Sequence, residues 1–301
     1  MTTNTYPAIF ETNIDNLALI ARGKVRDIYH IDEEHILIVS TDRLSAFDVV
    51  FSQAIPGKGE LLTQLSNFWF ARTSGIIQNH LSALRLEDYV CAADCAQLQS
   101  RSIIARRLKT LPIEAIVRGY IIGSGWKDYL ADGEICGIRL PAGLQQAERL
   151  PQPIFTPSSK AAVGAHDINI SFDRAVELIG AEMAHQVRDV SIALYSLASE
   201  YALSRGIIIA DTKFEFGIDE HDQLILIDEA LTPDSSRYWP ADQYRPGLSP
   251  PSYDKQFIRD YLETLHWDKT PPAPILPQEI IDKTQQKYQQ VHDLLTLGAN
   301  R

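Results

Sequence analysis

Cysteine is scarce. The chain carries three, Cys91, Cys95 and Cys136, in 301 residues. An odd count, with no further Cys or His at zinc-ligand spacing, gives neither a disulfide framework nor a structural zinc site. All three read as reduced thiols of a cytoplasmic protein. No apolar run is long enough to span a bilayer. The opening MTTNTYPAIF lacks the basic n-region and apolar h-region of a secretion signal. Positive charge is in deficit: 28 Lys and Arg stand against 39 Asp and Glu, for a net charge of -11. That argues against a nucleic-acid partner, whose phosphates call for a net basic surface. Anionic small molecules stay open, provided cations gather locally. The eight histidines show no metal-ligand spacing, and no GxSxG or flanked Cys marks a covalent nucleophile.

What is present is apolar and patterned. Hydrophobic residues make up 45% of a chain long enough for two lobes around a cleft. Strands from about Val25 and over Ile36 to Ser40 flank a polar turn at Asp32 to Glu34. Leu62, Leu65, Phe68 and Trp69 fall at helical spacing, which predicts a helix over 59–72. Two more strands, split by Pro112, fill 102–118. The stretch 131–170 is rich in Pro, Gly, Ser and Gln and reads as a long, partly irregular excursion. Ser171 caps a helical pattern that breaks near Gly180 and stops at Gly206. Two helices, near 252–265 and 277–297, close the chain. Strands first and mixed elements later suggest two α+β lobes.

The stretch GIIIADTKFEFGIDEHDQLILIDEALTPDSSR is the most informative. Alternation puts Asp211, Lys213 and Glu215 on one face of a strand, with Phe214 and Phe216 on the other. A turn returns an antiparallel strand that delivers Asp228 level with the charged face. Carboxylates with one lysine suit Mg²⁺ and a phosphate. A solvated charge ladder reads equally from alternation alone. Against it, Asp228 follows four apolar residues, as in a buried strand, and Asp234, Ser235, Ser236 and Arg237 add a turn dense in anion-binding groups.

Other stretches carry weaker signals. ARGKVRDIY puts Gly23, Lys24 and Arg26 at a strand entry, where a glycine lets backbone N–H groups approach a phosphate; a hairpin turn explains it as well. STDRLSAFD brings Ser45 and Asp48, either in a functional loop or in Asx turns. Lys58 precedes a helix whose N-terminus suits an anion. LPIEAIVRGYIIGSG offers Glu114, Arg118, Gly123 and Ser124, a phosphate or carboxylate grip or a surface arginine beside a glycine turn. Lys160, His166 and Asp167 lie in a segment with little regular pattern.

LPIEAIVRGYIIGSG and DTKFEFG closely resemble the two signature stretches of the SAICAR synthetase family. GKVRDIY, DRLSAFD, GKGELLTQLSNFWF and IDEALTPDSSRYWP also fit it, in the right order. The resemblance spans roughly residues 18 to 265 and is to the longer, fungal-like form. Thr212 and Ile122 depart from the compact forms, at positions that offer no charged ligand. The resemblance implies a two-lobed α+β fold related to ATP-grasp and protein-kinase folds, with ATP between the lobes. It implies an N-terminal, mainly β lobe over 1–115 and a C-terminal α+β lobe over 116–301. The implied activity joins L-aspartate to the carboxylate of CAIR with MgATP, giving SAICAR, ADP and phosphate in de novo purine synthesis. Gly23, Lys24 and Arg26 would cover the ATP phosphates, and Glu215 and Asp228 would hold Mg²⁺. Arg118, Ser124, Asp234, Ser236 and Arg237 would surround CAIR, with Ser45 and Asp48 near CAIR and aspartate. Lys213, Asp211 and Arg237 would form the catalytic set. A cytoplasmic monomer is expected, with no nucleic-acid or membrane partner.

Two readings compete. A small-molecule kinase on the same two-lobe plan would use the same hairpin and would turn over ATP without aspartate. A nucleotide-sensing module would tolerate loss of the hairpin carboxylates and would expose a large apolar patch.

Overall fold

The polar break at Asp32–Glu34 sets up the first sheet, because it reverses the chain between two alternating apolar runs. In the computed structural model, which describes residues 8–160 and 168–297, β1 (Leu19–Arg22), β2 (Arg26–His30) and β3 (His35–Ser40) are followed by a hairpin of β4 (Arg43–Ala46) and β5 (Val49–Ala54). Then come α1 (Lys58–Thr73), α2 (Ala92–Leu98) and β6 (Ser102–Arg106). The first sheet runs β1-β2-β3-β6, all antiparallel. Its inner face buries Tyr29, Leu37, Val39 and Ile104 with Val90 and Leu98 from the α2 region.

The chain then enters a second sheet through β7 (Lys109–Thr110) and β8 (Ile113–Tyr120). The 131–170 excursion is less irregular than its composition suggests. α3 (Gly123–Asp132) leads into it, and it opens with the small pair β9 (Glu134–Ile135) and β10 (Ile138–Arg139). Next, β11 (Arg149–Phe155) and β12 (Ser158–Ser159) pair with β8, and β13 (Ile168–Asn169) pairs with β12. α4 (Phe172–Ile179) starts at the Ser171 side-chain cap, and α5 (Ala181–Ser204) follows the break at Gly180. The long β14 (Ile207–Ile218) pairs with β8, β15 (Leu224–Ile227) and β16 (Ser236–Pro240). α6 (Gln256–Glu263) and α7 (Gln278–Thr296) close the described chain.

One face of this eight-stranded sheet carries the main core. Ile113, Ala115 and Val117 of β8 and Phe214 and Phe216 of β14 pack with Val187, Leu194 and Ala198 of α5. Helix α1 joins them through Leu65, Trp69 and Phe70. It is therefore buried between sheet and helices rather than lying as a surface amphipath. On the opposite face Tyr120, Ile208, Ala210 and Trp239 bury a smaller apolar cluster, and the charged side chains lie beyond it. On β14 that face is reached through an irregularity: the register with β16 shifts between Ile209 and Thr212. Upstream, Ile207 and Ile209 point into the main core; downstream, Phe214 and Phe216 do. The bulge absorbs the odd residue and aims Asp211, Lys213 and Glu215 away from it. Among the described residues, no helix is long and apolar enough to cross a membrane.

Candidate active site

Two cavities adjoin on the charged face. The larger is a cleft of about 490 Å³ between the two sheets. Gly23, Lys24, Arg26, Ser45 and Asp48 line its upper side and Lys213, Glu215 and Asp228 its lower side. The smaller, of about 190 Å³, is lined by Arg118, Ser124, Asp211, Ser236 and Arg237. Lys213, Asp234, Ser235, Lys255 and Arg259 border both. Every residue assigned to the site through the family resemblance lines one cavity or the other, whereas Lys58, Gly123 and Lys160, which carried weaker signals, line neither. His166 and Asp167 lie outside the described residues.

The cleft is a field of paired charges. Lys213 Nζ donates to Glu114 Oε1 at 2.7 Å and to Glu215 Oε1 at 3.0 Å, and Lys160 Nζ donates to Glu215 Oε2 at 2.6 Å. Burial pushes the Glu215 carboxyl up, but Lys213 and Lys160 outweigh it and hold it at about 2. Burial pulls Lys213 down, and Glu215 with Glu114 more than reverse that, so the ammonium keeps its proton. Arg26 pairs with Asp228, and also with Glu229 at 2.7 Å. Lys24 pairs with Asp48, at the tip of the β4–β5 hairpin.

The loop that carries Gly23, Lys24 and Arg26 is fastened from below. Arg43 is buried, and its guanidinium donates to the carbonyls of Gly23 at 3.0 Å, Lys24 at 3.1 Å and Arg26 at 3.1 Å. It also donates to Phe10 O at 2.6 Å and Asp27 Oδ1 at 2.8 Å. A planar fork can satisfy that many acceptors at once; an ammonium cannot.

The smaller cavity is an anion grip. Asp211 Oδ2 accepts from Arg118 Nη1 at 3.2 Å and Arg237 Nη1 at 2.5 Å. Asp211 does not line the cleft that holds Glu215 and Asp228; it aligns two arginines. Ser124 Oγ accepts from Arg118 Nη2 at 3.1 Å, at the start of α3. Gly123 has φ of 61°, and a Cβ there would lie 2.5 Å from Arg237 Nη2. Only glycine lets the helix start and the guanidinium come that close. The helix N-terminus and two guanidiniums then face one space.

Asp234 is turned inward. Its Oδ2 accepts from Lys58 at 2.8 Å and Lys255 at 3.0 Å, and its Oδ1 from the Tyr288 hydroxyl at 2.9 Å. Two lysines on one carboxylate leave one positive charge in excess. Burial, offset by Asp234 and reinforced by Lys58, lowers the Lys255 pKa. Lys255 and Arg259 escaped sequence reasoning. Their signal was a basic pair four residues apart around α6, whose buried side is Ile258 and Leu262.

A cleft of about 490 Å³ opens onto a smaller cavity lined by two arginines, with Lys213, Lys255 and Arg259 bordering both, an arrangement suited to anionic ligands. The sequence pattern of the SAICAR synthetase family matches residues 19–274. A phosphoribosylaminoimidazole-succinocarboxamide synthase from Thioalkalivibrio sulfidiphilus is 60% identical over 97% of this chain and 99% of its own length. One from Nitrosomonas europaea is 58% identical over 96% and 98%. The Saccharomyces cerevisiae SAICAR synthase, solved with SAICAR, superposes with a TM-score of 0.88 at 44% identity, over 98% of this chain and 100% of its own. A SAICAR synthetase solved with ADP shares the fold at TM-score 0.68 and 24% identity, over 93% and 99%. The chain belongs to the SAICAR synthetase family, the ATP-using ligases of purine biosynthesis.

Proposed function

We propose that the larger cleft holds ATP and the smaller cavity holds CAIR, with the reacting groups meeting between Lys213 and Lys255. The reaction is the family's: L-aspartate is joined to the CAIR carboxylate, with ATP going to ADP and phosphate. The carrying observation is the row of residues shared by both cavities, Lys213, Asp234, Ser235, Lys255 and Arg259. Val25, Ile28 and Ile38 give the cleft an apolar wall for a base, and Gly23, Lys24 and Arg26 face the phosphates. Arg118, Ser124 and Arg237 take the CAIR phosphate, with Ser236 beside them. Asp234 acts by holding Lys255. Ser45 and Asp48 border the aspartate side.

Mg²⁺ fits the donor set. Glu215 and Asp228 offer oxygen only, and among the described residues no cluster of three or more His, Cys, Asp or Glu forms a closed cage. Mg²⁺ characteristically takes one or two carboxylates and completes its shell with phosphates and water. When bound, it supplies charge neutralisation for the triphosphate. The chain's own residues do the rest. Lys213 and Lys255 hold the anions at the junction against mutual repulsion. A CAIR carboxylate oxygen attacks the γ-phosphorus and ADP leaves. The aspartate amine then attacks the acyl carbon, loses a proton, and phosphate departs with that oxygen. No protein nucleophile takes part. We read residues 1–115 and 116–301 as the two lobes. The chain is taken as a cytoplasmic monomer: its three cysteines are free, and one chain supplies both cavities.

Ligand-selective substitutions test the division. Arg237→Ala should weaken CAIR binding by roughly 10- to 150-fold, the loss of a charge-assisted contact, while ADP binding changes little. Lys24→Ala should weaken ADP more than CAIR. Equal effects on both ligands from both variants would overturn the assignment.

A further inference from the structure

β15 continues on its outer edge into a short parallel pairing with residues 78–80. Leu226 N–H donates to Gln78 O at 3.0 Å, and His80 N–H donates to Leu226 O at 3.1 Å. Asn79 and Leu226 form the parallel bridge. The next rung of such a ladder would send Asp228 N–H to the carbonyl of residue 80. That carbonyl already accepts from Arg106 N–H at 2.8 Å. The side chain of the same residue replaces it: Asp228 N–H donates to His80 Nδ1 at 3.2 Å. Asp228 itself has φ of 66°, in the left-handed region that Asp tolerates better than most residues. The strand ends there, and the chain turns Asp228 toward the cleft.

We propose that His80 is a positioning residue for the Asp228 carboxylate, its Nδ1 lone pair fixing the left-handed turn that aims Asp228 at the metal. This rests on Asp228 being a metal ligand. Because Nδ1 accepts, the proton of the neutral ring is on Nε2. Nε2 is buried without a polar partner among the described residues, and the ring packs against Phe70 at 5.5 Å between centroids. A buried donor left unmade carries a desolvation cost that an apolar side chain would avoid. Packing alone therefore does not account for a histidine here; the work done at Nδ1 does. His80 is buried and lines neither cavity. Its effect reaches the site through the backbone of Asp228, as outer-shell partners orient metal ligands elsewhere.

Two substitutions separate acceptor from bulk in the full chain. His80→Asn puts an amide oxygen near the place of Nδ1; His80→Gln puts its polar group near Nε2 instead. The probe is Mn²⁺ binding to the enzyme saturated with ADP, read by the electron paramagnetic resonance of free Mn²⁺. His80→Asn should bind Mn²⁺ within about twofold of the unaltered enzyme. His80→Gln, and His80→Phe if it folds, should lose about 10-fold or more. Equal Mn²⁺ affinity in Asn and Gln variants, at either level, would overturn the proposal. Asp228→Asn distinguishes the two levels of the argument. If it leaves Mn²⁺ binding unchanged, the metal reading fails and the proposal with it. If it abolishes binding while His80→Gln does not weaken it, the proposal alone fails.

Discussion

At Glu215 burial and two cations act in opposite directions, and the cations win. The folded-state pKa, about 2, lies below the ordinary 4.5. A carboxylate with a depressed folded pKa stabilises the fold fully above its unfolded value. That contribution is lost as pH falls from about 4.5 toward about 2. Denaturant unfolding at pH 7 and pH 3 checks this: the unaltered chain should lose more stability between the two than Glu215→Gln does. Equal losses would mean that the Lys213 and Lys160 pairs contribute nothing. The same variant should lack turnover at ordinary magnesium, because an amide is a poor Mg²⁺ ligand. Lys213 and Glu215 were legible in the sequence because strand alternation forces them onto one face. Asp211 was grouped with them by the same alternation. What alternation does not reveal is that two arginines claim its carboxylate. Asp234 was legible as a member of the site but not in its inward orientation, because the partners Lys58, Lys255 and Tyr288 come from three distant parts of the chain.

Among the elements, β8 packs against α5 at Gly119, where there is no room for a side chain. A Cβ there would lie 1.9 Å from the Tyr195 hydroxyl, which donates to Ile209 O at 2.7 Å. Gly119→Ala must push α5 off the sheet or break that bond, and overpacking of this kind costs roughly 1–3 kcal/mol. Tyr195→Phe removes the nearest clashing atom and leaves the milder approach of Cζ, 2.7 Å from that Cβ. The double variant should therefore be more stable than the sum of the single losses predicts, in a cycle measured by chemical denaturation. Additive losses would show that the clash is relieved elsewhere. The hairpin β14–β15, the capped α4 and the first sheet were all readable from period and caps. β16 was not: SRYWP carries turn residues, and it becomes a strand only because β14 offers it a long-range ladder. α3 was hidden for a related reason. Gly-Ser-Gly reads as a turn, yet here it opens a helix whose first residue must leave room for Arg237.

For the whole molecule, the problem is to gather anions into a protein of net charge -11. The fold solves it by concentration. Most acidic side chains near the site are already neutralised by a lysine or arginine, and the unbalanced cations, Lys255 and Arg259 with the Arg118–Arg237 pair, face the smaller cavity. Electrostatics of this kind positions ligands and spreads transition-state charge, and it leaves the bond changes to the substrates. The overall plan was legible because several long motifs occur in one order. The likeness to the yeast enzyme agrees with the longer, fungal-like form expected from the sequence. The central claim is that the two cavities pass a phosphoryl group from ATP to the CAIR carboxylate. Oxygen-18 in that carboxylate tests it directly, with the released phosphate read by mass spectrometry. The account predicts labelled phosphate whenever aspartate is present to complete turnover. Unlabelled phosphate alongside newly formed amide would contradict it.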